Sequence, residues 1–224
     1  MRTGERGGRA GGGAGTRERL IAAAEELFAE EGVDAVSLRE IVRASGARNV
    51  TALQYHFGDR EGLVAALLAK HHAGVDARRH ALLDAARDPS LRDLAAILVR
   101  PLAAKLADTD GGPAYLRIQA ELMNRARPWI DPAALDDPSN SMYRWRMMVA
   151  PHLTEDALRL HRRFVAYRFT VGELARRART APHTDDRLFT EHLIDLVTAL
   201  LATPPSPETL RLEAEKQAGR PPAP

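Results

Sequence analysis

The sequence contains no cysteine, which removes disulfide frameworks and thiolate metal sites from consideration. Aromatic residues make up only 5% of it. No stretch alternates β-branched and polar residues, so nothing supports a sheet. No apolar run approaches the ~20 residues that a membrane-spanning helix needs, and the first residues lack the apolar core of a signal peptide. Neither sign of charge is in excess: 32 basic residues face 30 acidic ones, so bulk charge does not advertise nucleic acid. What the chain has in plenty is alanine and leucine at helical spacing. A soluble, cytoplasmic, all-α protein that binds no membrane is expected, and 224 residues suffice for a sizeable core.

Breakers divide the chain. Residues 1–15, rich in Gly and Arg, read as a disordered basic arm that could track a minor groove. A first helix is expected over Thr16–Glu31, stopped by Gly32, and a compact unit of three helices over 16–60. A larger helical domain follows over 61–202: a long helix from Arg60 to about Arg87, halted by Asp88-Pro89, then Ser90 to about Leu106, interrupted at Pro101. Gly111-Gly112-Pro113 opens another helix, 128–140 is a loop, and a short helix carries Met142 to Val149. Thr154 to about Arg179 reads as one long helix and Asp185 to about Ala202 as the last. The Pro-rich tail over 203–224 is expected to fray apart from a short turn.

Ser37 to Leu63 holds the most informative pattern. Leu38, Ile41 and Val42 share one helical face, and Ser37 with Glu40 three residues on forms a capping box. Gly46 stands where the chain must turn sharply. The next run, Asn49 to Phe57, places Val50, Leu53 and Phe57 inward and leaves polar side chains outward. This is a helix-turn-helix whose second helix suits a major groove. Arg48, Asn49, Thr51 and Gln54 lie where base edges are reached. Arg matches guanine, and Asn or Gln matches adenine, by paired donors and acceptors. Ser37 and Arg39 at the helix-two N-terminus can contact the DNA backbone.

These residues also resemble a family. From Thr16 to Leu68 the chain is similar to the DNA-binding domain of TetR-type transcriptional regulators. The matching pieces are T-R-E-R-L-I-A-A-A-E-E-L-F-A-E-E-G, the turn at Ser45-Gly46, and Y-H-F-G-D-R-E-G-L. The interval from Gly46 to Phe57 is one residue longer than is usual, and Gln54 stands where many members carry an aromatic. The resemblance implies phosphate contacts at Tyr55, His56 and Arg60, double-stranded operator DNA as a partner, and an effector pocket among the middle helices.

Two stripes point to a homodimer through the last two long helices. Phe189, Leu193, Leu196, Val197 and Leu200 recur at heptad-like spacing, beside Leu160, Phe164, Val171, Leu174 and Ala178. Two such hairpins make a four-helix bundle about a two-fold axis; the alternative is that both stripes pack on their own subunit. Candidate effector-binding residues are Tyr115, Ile118, Met123, Trp145, Met148, Phe164 and Tyr167, bulky or adaptable groups that line pockets and cores alike. The string H-H-A-G-V-D from His71 to Asp76 matches an acyltransferase pattern, but that chemistry needs a sheet this chain does not offer. No metal site, cofactor or enzyme activity is expected. The expected function is a sequence-specific transcriptional regulator, a repressor released from its operator by a small-molecule effector. The rival is a helical ligand-binding or interaction module with a vestigial helix-turn-helix.

Overall fold

The computed structural model describes residues 12–129, 136–180 and 183–218. The arm before residue 12, the middle of the loop expected over 128–140 and the end of the tail lie outside that range. Every regular element among the described residues is a helix.

Helix α1 (Gly12–Glu31) begins earlier than Thr16, so residues 12–15 belong to it rather than to the arm. Glycine costs little in a first turn, whose N–H groups lack intrahelical partners in any case, and Arg19 Nε donates to the Gly15 carbonyl at 3.2 Å. The helix stops at Gly32, where φ is 97°. Its buried Leu20, Ala24 and Phe28 face α2 (Leu38–Ala44) and α3 (Val50–Phe57). The capping box forms as the spacing requires. The Ser37 hydroxyl oxygen accepts from the Glu40 N–H, and the Glu40 carboxylate accepts from the Ser37 N–H at 2.7 Å. Such a cap is worth ~1 kcal/mol. Gly46, at φ 67°, makes the turn between them.

Helix α4 (Arg60–Ala85) starts on an Asp59 cap. Gly62 in its first turn is obligatory, because a Cβ there would lie 1.9 Å from the Phe57 carbonyl oxygen. The close approach locks the end of α3 onto the start of α4. At the far end Asp88, at φ 47°, and Pro89 stop the run. Helix α5 (Leu91–Ala103) is the centre of the larger domain, with Leu94–Val99 and Pro101–Ala103 buried. Pro101 leaves the Ile97 carbonyl without its helical partner; the helix does not split there but tightens into a 3-10 turn over Ala104–Ala107.

Helices α6 (Gly112–Met123) and α7 (Ser141–Val149) follow. The long helix expected from Thr154 is two: α8 (Glu155–Arg159) and α9 (Arg162–Arg179). Leu160 leaves the helical path and His161 takes φ 56°. A left-handed residue without glycine's freedom costs ~1–2 kcal/mol, so surrounding packing imposes it. Helix α10 (Arg187–Ala202) starts after Asp185, whose Oδ1 accepts from the Arg187 N–H at 2.9 Å. In the described part of the tail a helix stands where fraying was expected: α11 (Pro207–Ala218), with Glu213 paired to Arg159 of α8 at 2.9 Å. Helix α9 packs on α6, α10 on α5, and α7 against both α4 and α5. Leu116, Ile118, Leu94 and Leu98 are fully enclosed between them, each contributing about 1.5–3 kcal/mol by burial.

Candidate nucleic-acid interface and internal cavity

Helix α3 is held by one side and open on the other. Leu53 is completely buried and Val50 and Phe57 are partly so, with Arg17 of α1 stacked 5.4 Å from the Phe57 ring centroid. Arg48, Asn49, Thr51 and Gln54 are exposed, as are Ser37, Arg39 and Arg43 on α2. Among the described residues no carboxylate pairs with Arg39, Arg43 or Arg48. Unpaired cations around a polar helix face suit a polyanion.

The face differs in detail from the residue-by-residue expectation. Asn49 is the N-cap of α3, its Oδ1 accepting from the Ala52 N–H at 3.1 Å. An amide so engaged lacks the paired donor and acceptor that an adenine edge requires, whereas the Gln54 amide is exposed and makes no such cap. The Ser37 oxygen is likewise occupied by its cap, leaving its hydroxyl proton as donor. Tyr55 is 85% exposed, with its ring edge-on to His56. His56 is part-buried beside Phe57. Arg60 is turned inward: its Nη1 donates to the Val33 carbonyl at 2.5 Å and its guanidinium lies over Phe28. That contact clamps the α1–α2 loop to α4 and takes the side chain off the outer face.

The larger domain contains a cavity of ≈ 920 Å³ between α4, α6, α7 and α9. Tyr115, Met123, Trp145, Phe164 and Tyr167 line it. Ile118 and Met148 do not: Ile118 is enclosed in the core, and Met148 packs against that core. Helix α4 supplies a wall that sequence reasoning missed, made of Ala65, Ala69 and Ala73 with His72, Asp76 and Arg79 among them. Small residues repeating every four positions leave room beside a helix, a signal that was present but unweighted. Gln119, Arg163 and the left-handed His161 complete the polar part. Desolvation by the surrounding wall, then the nearby Arg79 and His71, lowers the His72 pKa to about 4 although part of the side chain stays in contact with solvent, so this imidazole is neutral at neutral pH. Burial raises the Tyr115 and Tyr167 phenols and lowers Arg79.

Two polar junctions join the cavity to the helix-turn-helix. In the first, His71 Nε2 meets Glu25 of α1 at 2.7 Å, and both are buried. Lys70 bridges Glu25 and Asp110, and the His71 ring stacks on Tyr115 with centroids 4.7 Å apart. In the second, the Glu121 carboxylate of α6 accepts from the Val33 N–H at 2.9 Å, while Arg125 pairs with Asp34. The acyltransferase-like string is thereby accounted for on α4: His71 belongs to a junction, His72 to the cavity wall, and Asp76 accepts from Ser141. No group of residues suited to a metal occurs among those described.

Comparison with known proteins decides what the first of these units is. Residues 20–67 match the family model described as bacterial regulatory proteins, tetR family. The chain carries the tetR-family DNA-binding domain. The match spans α1 from Leu20 through the first turns of α4, the same helices that present the exposed face. No curated protein matches the chain. Among solved structures, AmtR of Mycobacterium smegmatis is similar over 99% of this chain and 100% of its own, at 18% identity and a TM-score of 0.50. A TetR-family regulator from Streptomyces coelicolor A3 covers 88% of this chain and 100% of its own, at 22% identity and TM-score 0.43. A transcriptional regulator from Rhodococcus sp. Rha1 covers 84% and 99%, at 21% and 0.47. At such identities the likeness to AmtR speaks for the fold: a tetR-family domain followed by a larger helical one. Among the described residues no helix is long and apolar enough to cross a membrane.

Proposed function

We propose that this protein is a homodimeric, sequence-specific transcriptional regulator, a repressor whose tetR-family domain leaves its operator when a small molecule occupies the cavity of the larger domain. The observation that carries the DNA-binding part is α3 itself. A short helix anchored by Leu53 offers Arg48, Thr51 and Gln54 to solvent, with unpaired arginines on the neighbouring helix. An arginine reads guanine and a glutamine adenine in a major groove, while the flanking cations neutralise phosphates.

Dimerisation is supported by the outer face of α9 and α10. Leu193 and Val197, two of the five residues of the stripe expected on α10, are buried within the subunit. Leu196 and Leu200 line an apolar groove with Val165 and Phe169 that stands open among the described residues. A two-fold axis through this groove closes it with a second copy and sets two recognition helices against two half-sites.

Ligand response follows from the continuity of α4. Its first turn is locked under α3 by Gly62, and its middle forms a wall of the cavity. A ligand that favours one position of this helix alters the separation of the two recognition helices; it must bind the two arrangements unequally, and a coupling of ~1–3 kcal/mol is typical. Fluorescence anisotropy on DNA from upstream of the protein's own gene tests the reading. Tight, sequence-selective binding that survives competition by random DNA is expected, and equal affinity for both would end it.

A further inference from the structure

Arg79 is the feature of the cavity that packing does not explain. Its side chain is almost completely enclosed, 4% exposed, on the α4 wall. Nη1 donates to the Ser141 hydroxyl at 3.1 Å, but Nε has no hydrogen-bond partner. No carboxylate among the described residues pairs with it directly. The nearest acid, Asp76, spends one oxygen on the Ser141 N–H and hydroxyl, and the other faces His80 at 3.3 Å. A buried cation without a direct counter-ion is costly, and such a site favours an anion that can enter.

Two more buried polar groups without a hydrogen bond of ordinary geometry stand beside it. The Tyr115 hydroxyl lies next to Gln119 yet makes no hydrogen bond of ordinary geometry. Gln119 donates to the Tyr167 hydroxyl at 2.6 Å, while its other end, Oε1, is buried and unpartnered. Arg79, Tyr115 and Gln119 come from two different helices and all line the one cavity. Among the described residues of the wall, Arg79 and Arg163 are cationic and Asp76 is acidic, and the neutral His72 adds no positive charge. Around this polar end the wall is apolar: Leu68, Leu102, Leu122, Met123, Trp145 and Phe164.

We infer that the cavity takes an amphipathic organic acid, its anionic group on the Arg79 guanidinium and the Tyr115 hydroxyl and its hydrocarbon body against the tryptophan and leucine side. The inference rests on the ligand-responsive reading above and names the ligand's class. A guanidinium with free N–H groups matches a carboxylate or sulfonate, and charge-assisted hydrogen bonds of this kind are about twice as strong as neutral ones. The remaining amide end of Gln119 offers a second polar contact that an unadorned hydrocarbon would leave unmet.

The test uses two probes that differ only by the anion: 1-anilinonaphthalene-8-sulfonate and N-phenyl-1-naphthylamine. Both tryptophans of the chain, Trp129 and Trp145, line the cavity, so quenching of their emission reports occupancy in the full-length protein. The readout is the ratio of sulfonate to neutral-probe affinity, and neutral-probe binding confirms that each variant retains a folded cavity. The ratio is expected to fall by at least about tenfold in R79Q and to be largely kept in R79K, because the lost contact is charge-assisted. Y115F, which removes a donor and leaves no void, is expected to lower it by about threefold or more. An unchanged ratio in both R79Q and Y115F would overturn the acid assignment, with Arg79 then serving only to balance Asp76 through Ser141. That result leaves the cavity standing as a site for neutral ligands. Failure of both probes to quench the wild-type tryptophans would remove the ligand site itself.

Discussion

Asn49 and Gln54 are both amides on one short helix, and they have different roles. Asn49 spends its oxygen on the Ala52 N–H, whereas the Gln54 side chain is exposed and makes no such cap. Q54A is therefore expected to erase preference at one base position, costing ~1–3 kcal/mol on the cognate site with no loss of fold. N49A is expected to destabilise α3 by ~1 kcal/mol and to weaken binding to all sequences alike. Anisotropy titrations on cognate and single-substituted sites, beside urea denaturation, separate the two. His72 supplies a second prediction at this scale. Its folded pKa of about 4 lies below the ordinary 6.5, so between those values the unfolded chain binds more protons than the folded one. Stability from this residue is full above 6.5 and falls as pH drops toward 4. The stability of H72N relative to wild type is thus expected to rise between pH 7 and pH 5, measured by urea denaturation at each.

At the scale of elements, the Glu25–His71 contact is one of two junctions between the tetR-family domain and the larger one. Both groups are buried, with Lys70 and Lys105 close by. Removing one partner of a buried pair strands the other, so E25A is expected to cost about 3 kcal/mol or more, seen as a lower urea midpoint. An unchanged midpoint would show that the domains are held elsewhere. What the sequence made legible at this scale was local. Ser37 with Glu40, Asp59, Ser90 with Asp93 and Gly46 carry their instructions within four residues, and those boundaries fell where the capping chemistry put them. The break at His161 and the helix in the tail were not legible. The first is a non-glycine residue in a left-handed conformation, and the second leans on an Arg159–Glu213 pair 54 residues apart. The cavity was half legible: its aromatics announced themselves, but Arg79 looked like any charge on a long helix until tertiary packing enclosed it.

At the scale of the whole molecule, the proposed function requires two copies that present α3 at a fixed separation. The groove over α9 and α10 leaves Leu196 and Val165 outward, 39% and 41% exposed. A charge placed there meets water in one subunit and apolar surface in an assembled pair. L196E is expected to shift the protein to a monomer by analytical ultracentrifugation while leaving each subunit helical, and to lower operator affinity because half-sites are then bound singly. A variant still dimeric would move the interface to another face. The most direct measurement of the central claim is in vitro selection of random DNA by the purified wild-type protein, sequenced after several rounds. An inverted repeat is expected whose half-sites are about one helical turn apart, or a multiple of that, with the repeat lost on selection by Q54A. Recovery of no motif, or of the same motif by wild type and by a protein altered at both Arg48 and Gln54, would contradict it.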